Sequence, residues 1–271
     1  MSFDDQFDYD RTSPPEIRTA SSIEEDGLEI QNLTFQTPFG YRRAAYLLTP
    51  QTEQPRAAIV YVHWLETWHP TANRRQFLEE AKSMASKGAA CLLVETMWSD
   101  QDWFIKRTQE EDIPNSIRQV VELRIGMDIL LSQPLVDPAR FAYVGHDFGG
   151  MYGILAGSVD PRPSCYVIMA ATPRFSDWYL YYPHLEEQAQ AAFRDEFAPF
   201  DPVNRVEKLS PAPILFQFAD DDLHVPKPRA EEFYAAAEQP KELRWYQAKH
   251  GLNEIAAEDR TDWLTAQLKL K

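Results

Sequence analysis

The residues with the clearest chemical potential lie in Tyr143-Val144-Gly145-His146-Asp147-Phe148-Gly149-Gly150. An apolar, strand-like run here meets a helix start through a turn with glycine two residues either side of Asp147. Such a turn forces its central residue into strained backbone geometry and projects the side chain above the sheet. The amides that follow, at a helix N-terminus, face any negative charge forming there. Asp147 is thus the candidate nucleophile and Phe148 N–H a candidate oxyanion donor, with Trp64 or Leu65 N–H expected as the second. Two further groups come later in the chain. Ile214 to Phe218 reads as a strand ending in Asp220-Asp221-Asp222, ahead of Val225-Pro226. Leu243 to Tyr246 reads as a strand leading to His250-Gly251. One of these three carboxylates can orient His250, which would act as general base.

A carboxylate nucleophile restricts the chemistry. Attack on an ester carbonyl with loss of alkoxide gives an anhydride, an uphill exchange. Attack on a saturated carbon bearing a halide or a strained oxygen gives an ordinary alkyl ester, which His250-activated water can hydrolyse. The leaving group needs a donor. Trp64, Trp68, Trp98 and Trp103 follow predicted strand ends, and Trp178, Tyr181 and Tyr182 lie in an aromatic stretch farther on. An indole N–H would suit a departing halide and a tyrosine O–H an epoxide oxygen. His63 and His146 lack a recognised metal-ligand spacing with Asp147, so no metal is expected. No cofactor is expected either.

These groups must be positioned by a regular scaffold. Strands are predicted at Leu28 to Phe35, Tyr41 to Leu48, Ala57 to Val62, Ala90 to Val94, Phe141 to Val144, Tyr166 to Met169, and the two after residue 213. Helices are predicted from about Phe77, from Asn115 to Leu131, from Phe148, from Arg229 to Ala237, and at the C-terminus. Repeated βα units with uniformly apolar strands imply a parallel sheet covered by helices on both faces, with the first two strands as an antiparallel hairpin at its edge. Residues 27–271 are read as one domain. Residues 1–26, acidic and aperiodic, are read as a loosely held arm or a disordered one. The aromatic, proline-bearing stretch of about 172–211 interrupts the rhythm and is read as a short lid.

The formal net charge of −15 and the lack of a Lys/Arg cluster argue against nucleic acid or anionic membrane partners. Cys91 and Cys165 sit in apolar runs, as buried thiols do. With no signal-peptide pattern and no apolar run of about 20 residues, the expectation is a cytoplasmic protein acting on a small molecule.

The order nucleophile, acid, histidine, together with the strand-turn-helix frame, resembles the α/β-hydrolase superfamily from about Leu28 to the C-terminus. The spacing before Val225-Pro226 resembles that family's acid position at Asp222, which the resemblance implies as the carboxylate that orients His250. The layout, with its short lid and Pro213-Ile214-Leu215 before the acid loop, is most similar to dienelactone-hydrolase-like members, whose nucleophile is cysteine or serine. Aspartate in Gly-His-Asp-x-Gly instead resembles haloalkane dehalogenases, fluoroacetate dehalogenases and epoxide hydrolases. Two features differ from that second group: His63-Trp64-Leu65-Glu66 stands where it has His-Gly-x-Pro, and there is no large cap segment. The leading expectation is a cofactor-independent hydrolase of carbon–halogen or epoxide bonds. The alternatives are an ester or lactone hydrolase, and a non-catalytic protein that binds a small ligand.

Overall fold

The computed structural model describes residues 2–66, 69, 74–100 and 102–271; Trp68 lies outside them. Among these residues the chain forms strands β1 (Ile17–Glu25), β2 (Leu28–Gln36), β3 (Arg42–Pro50) and β4 (Arg56–Val62). Helix α1 (Leu78–Ser86) leads to β5 (Ala89–Val94), the short α2 (Trp103–Lys106) and the long α3 (Gln109–Leu131). Then come β6 (Val136–His146), α4 (Phe148–Val159) and β7 (Cys165–Met169). The chain continues through α5 (Ser176–Tyr179), α6 (Glu187–Phe197), β8 (Ile214–Ala219), α7 (Lys227–Ala236), β9 (Lys241–Tyr246) and α8 (Glu254–Gln267). The described strands form one sheet in the order β1-β2-β3-β5-β4-β6-β7-β8-β9. Pairing is antiparallel from β1 to β3 and between β3 and β5, and parallel from β5 to β9. This is the α/β-hydrolase fold.

The uniformly apolar strands arise because both faces are covered. In β4, Ala58, Val60 and Val62 pack with α3 and α4 residues such as Leu123 and Leu155. The alternate residues Ala57, Ile59 and Tyr61 pack on the other face with Ala81 and Met84 of α1 and Leu264 of α8. The strand period of two thus builds two cores from one run of sequence. Cys91 and Cys165 are buried free thiols.

Several boundaries differ from expectation. Residues 17–25 are not loose: they form β1, which displaces the predicted hairpin from the sheet edge. All nine of its residues are exposed, so hydrophobic alternation could not reveal it. Upstream, Phe7 is buried and Tyr9 donates to Asp128 Oδ2 of α3 at 2.6 Å. Helix α3 starts six residues before Asn115 and carries Pro114 inside it. Glu110, Glu111 and Asp112 occupy its first turn, where the helix N-terminus favours negative charge. The stretch read as a lid folds into α5, α6 and two 3₁₀ turns. No helix among the described residues is long and apolar enough to cross a membrane.

Candidate active site

Asp147 sits alone between the last residue of β6 and the first of α4, at φ 53° and ψ −119°. That backbone conformation is unfavourable for a side-chain-bearing residue by about 1–3 kcal/mol and must be held from outside. Its N–H donates to Met169 O on β7 at 2.8 Å, and its carbonyl accepts from Met151 N at 3.0 Å. The flanking glycines permit the crossing. A Cβ on Gly145 would lie 2.3 Å from Gly149 O, and one on Gly149 would lie 2.2 Å from Val62 O. The start of α4 is therefore pressed against the end of β4, bringing Asp147 to the loop that carries Trp64 and Leu65. This is where the sheet order reverses, because β4 lies between β5 and β6. Open α/β sheets bind ligands at such points.

The other two groups arrive from β8 and β9. Asp222 accepts at Oδ1 from the N–H groups of His224 and Val225, at 2.8 and 3.1 Å. Its Oδ2 accepts from His250 Nδ1 at 2.8 Å. Asp220 and Asp221 are exposed. His250 Nε2 stands 3.9 Å from Asp147 Oδ2, beyond hydrogen-bonding distance, so the two act on each other through charge. Burial pulls the His250 imidazole down, but Asp147 and Asp222 outweigh it and raise it to about 9. Burial works against the Asp222 carboxylate as well. The bonds from His250, His224 and Val225 nevertheless leave it below its usual range.

The two carboxylates therefore favour the imidazolium form of His250 in the resting site. Histidine-resolved NMR should show it titrating near pH 9, and Asp147→Asn should move that titration toward the ordinary value of about 6.5. The raised value also stabilises the fold. That contribution is complete below about pH 6.5 and is lost as pH rises through 9, so the melting temperature should fall over this window, and less so in the variant.

The candidate donors divide. Leu65 N–H points at Asp147 Oδ2 from 3.4 Å. Phe148 N–H heads α4, where amides lack intrahelical acceptors. The expected Trp64 amide is not available, because it donates to Gln76 Oε1 at 3.0 Å. The Trp98 indole is likewise taken, donating to His63 O at 3.1 Å in the core. By contrast, the indole nitrogens of Trp64, Trp103 and Trp178 are buried without a hydrogen-bond partner among the described residues, as is Asp147 Oδ1. Trp178 brings the lid stretch to the site, with ring centroids 5.0 Å from His224 and 6.0 Å from His250. Tyr181 and Tyr182 do not close over it: they remain 55% and 46% exposed. His63 bonds to Trp64 O, Ser99 and Thr96, and His146 to Gln76 and His250 O. Both imidazoles thus serve the loops around the site.

Over His250 and Leu65 opens a cavity of about 560 Å³, walled by Trp64, Phe104, Trp178 and Leu223. Asp221 and Lys249 also line it. The volume suits a small, largely apolar molecule. Phe104 and Gln76 were not legible as site residues, since neither stands in a motif and the folding of the loops alone brings them there.

Residues 76–269 match the model of the prolyl oligopeptidase family. In structure the chain is similar to the acetyl xylan esterase from Paenibacillus sp. R4, with a TM-score of 0.76 and 18% identity over 94% of this chain and 90% of that one. Acetyl xylan esterase 1 from Thermoanaerobacterium sp. JW/SL YS485 gives a TM-score of 0.77 and 15% identity over 97% and 91%. The glucuronoyl esterase from Solibacter usitatus gives 0.67 and 15% over 96% and 88%. At these identities the likeness is one of fold. No curated protein matches the sequence.

Proposed function

Because the chain belongs to the prolyl oligopeptidase family and has an aspartate at its elbow, we propose a hydrolase that forms a covalent ester between Asp147 and a small, largely apolar substrate. The observation that carries this reading is the setting of the Asp147 carboxylate: Oδ2 lies toward Leu65 N–H and beside the His250 imidazole. A carboxylate oxygen so placed becomes the carbonyl oxygen of an alkyl ester without moving from its donor. Asp147 would attack a saturated carbon in line, displacing halide or opening an epoxide. The Trp64 and Trp178 indoles, unpaired among the described residues, are the donors for a departing anion. Tyr181 and Tyr182 are too exposed to be preferred for an epoxide oxygen.

Esterification would remove the Asp147 charge, one of the two that keep the proton on His250. The imidazole then gives up its proton, to solvent when a halide leaves or to the alkoxide of an opened epoxide, and becomes a base at the stage when the ester needs water. His250, held by Asp222, takes a proton from water; the hydroxide adds at Asp147 Cγ, with the oxyanion facing Leu65 and Phe148 N–H; and collapse releases the alcohol and restores the carboxylate.

A second reading is an ester or lactone hydrolase, and the comparisons favour it over carbon–halogen or epoxide substrates. The structurally similar proteins named above are esterases. Here water would attack the substrate directly, and His250 would have to lose its proton first, so turnover should climb until about pH 9.

One experiment separates the readings. His250→Gln, incubated with a nitrophenyl ester, a lactone, an epoxide and a haloacid in turn, should accumulate a mass adduct that maps to Asp147 with the epoxide or haloacid. Turnover of only the ester or lactone by the unmodified protein, with no adduct in the variant, would overturn the covalent reading in favour of the second. Indifference to all four would remove both.

A further inference from the structure

We propose that Gln76 is a positioning residue that ties together three segments of the site: the oxyanion loop at Trp64, the elbow at His146 and the base loop at His250. Its side-chain oxygen accepts from Trp64 N–H at 3.0 Å. Its Nε2 lies 2.6 Å from His146 Nδ1, and His146 Nε2 lies 2.9 Å from His250 O. The proton positions follow by elimination. A backbone amide can only donate, so the Gln76 oxygen must face Trp64 and its NH₂ must face His146. Nδ1 of His146 is then the acceptor, Nε2 carries the proton, and that proton is donated to the His250 carbonyl.

The surroundings agree with this single neutral tautomer. His146 is fully buried, and burial together with the neighbouring His250 charge holds it well below the ordinary imidazole range. A second proton would also set N–H against the Gln76 N–H. The Trp64 indole stacks on both imidazoles, with centroids 4.8 Å from His146 and 5.5 Å from His250. Gly251 makes room for it, because even a Cβ there would come within 3.3 Å of the ring.

The consequence is geometric. His146 adjoins Asp147 in the chain and binds the backbone of His250, so the 3.9 Å between nucleophile and base is set from one point. Gln76 fixes that point against the loop bearing Leu65 N–H. The inference holds for either substrate class, and its test reads the resting site, so its failure is distinguishable from that of the functional reading.

The test is NMR of the full chain with labelled histidine imidazoles. His146 is expected as the neutral Nε2–H tautomer in the unmodified protein. Gln76→Leu, which removes both bonds, should mix the His146 tautomers and lower the His250 titration from about 9 as the Asp147–His250 spacing loosens. Gln76→Glu keeps an acceptor for Trp64 but places another at Nδ1, and should drive His146 to the Nδ1–H or charged form. With a turned-over substrate, Gln76→Leu should reduce kcat on the order of 10²-fold while KM stays nearly constant. An Nδ1–H tautomer in the unmodified protein, or a folded Gln76→Leu with unchanged His250 titration, would overturn the proposal. Should Gln76→Leu fail to fold, an unchanged His146 tautomer in Gln76→Glu would do so.

Discussion

Replacing Asp147 by Asn should reduce single-turnover rates on the order of 10⁶-fold, the scale seen when a nucleophile is deleted from a working triad. The fold should survive. Asparagine is among the few residues that accept a positive φ, and the bonds to Met169 and Met151 are made by the backbone. What disappears is the nucleophile and the charge beside His250. Rates on a haloacid or epoxide, set beside the melting temperature, would measure both. Oxygen-18 water adds an independent check: one turnover should leave solvent oxygen in the Asp147 carboxylate, because water attacks there and not at the substrate. If Asp147→Asn keeps its rate on an ester, water activated by His250 is the attacking group and the covalent mechanism fails.

The second large effect concerns the acid. Asp222→Asn should cost about 10⁴-fold, as loss of a histidine-orienting aspartate does elsewhere. The same change at Asp220 or Asp221 should cost only a few-fold. The reasoning is atomic. An asparagine oxygen can keep the bonds from His224 and Val225 N–H, so the loop stays closed. Its NH₂ would then face His250 Nδ1 and turn that nitrogen into an acceptor, leaving the proton on Nε2, where water must be deprotonated. Steady-state rates for the three variants decide the matter. A larger loss at Asp221 would mean that the wrong carboxylate has been assigned.

The order of the elements and the candidates Asp147, Asp222 and His250 could be picked out of the sequence for a common reason. Each stands at the end of a strand whose apolar run is long enough to locate, and the glycines around Asp147 have few other uses. Strand β1 was not legible, since a strand exposed on both faces has no alternation to read. The donors were legible only as types. Trp64, Trp98 and Trp178 are alike as letters, but one indole is consumed by His63 O and the others are unpaired among the described residues. The assignment of the Trp64 amide failed because its partner, Gln76, lies twelve residues downstream. A half-buried glutamine has no pattern announcing that its amide will be shared between two loops.

The contact between Gly149 and Val62 O sets a boundary on how this protein could acquire new substrates. Any side chain at Gly149 would push the end of β4 away from the elbow, and Leu65 N–H would move with it. Residues 62–65 and 145–150 therefore form a pivot that tolerates little change, however advantageous a change in selectivity might be. Phe104 and Leu223 wall the cavity from other elements. Diversification, whether by natural drift or by laboratory selection, has its freedom in this outer wall and meets its barrier at a single pair of crossing backbones.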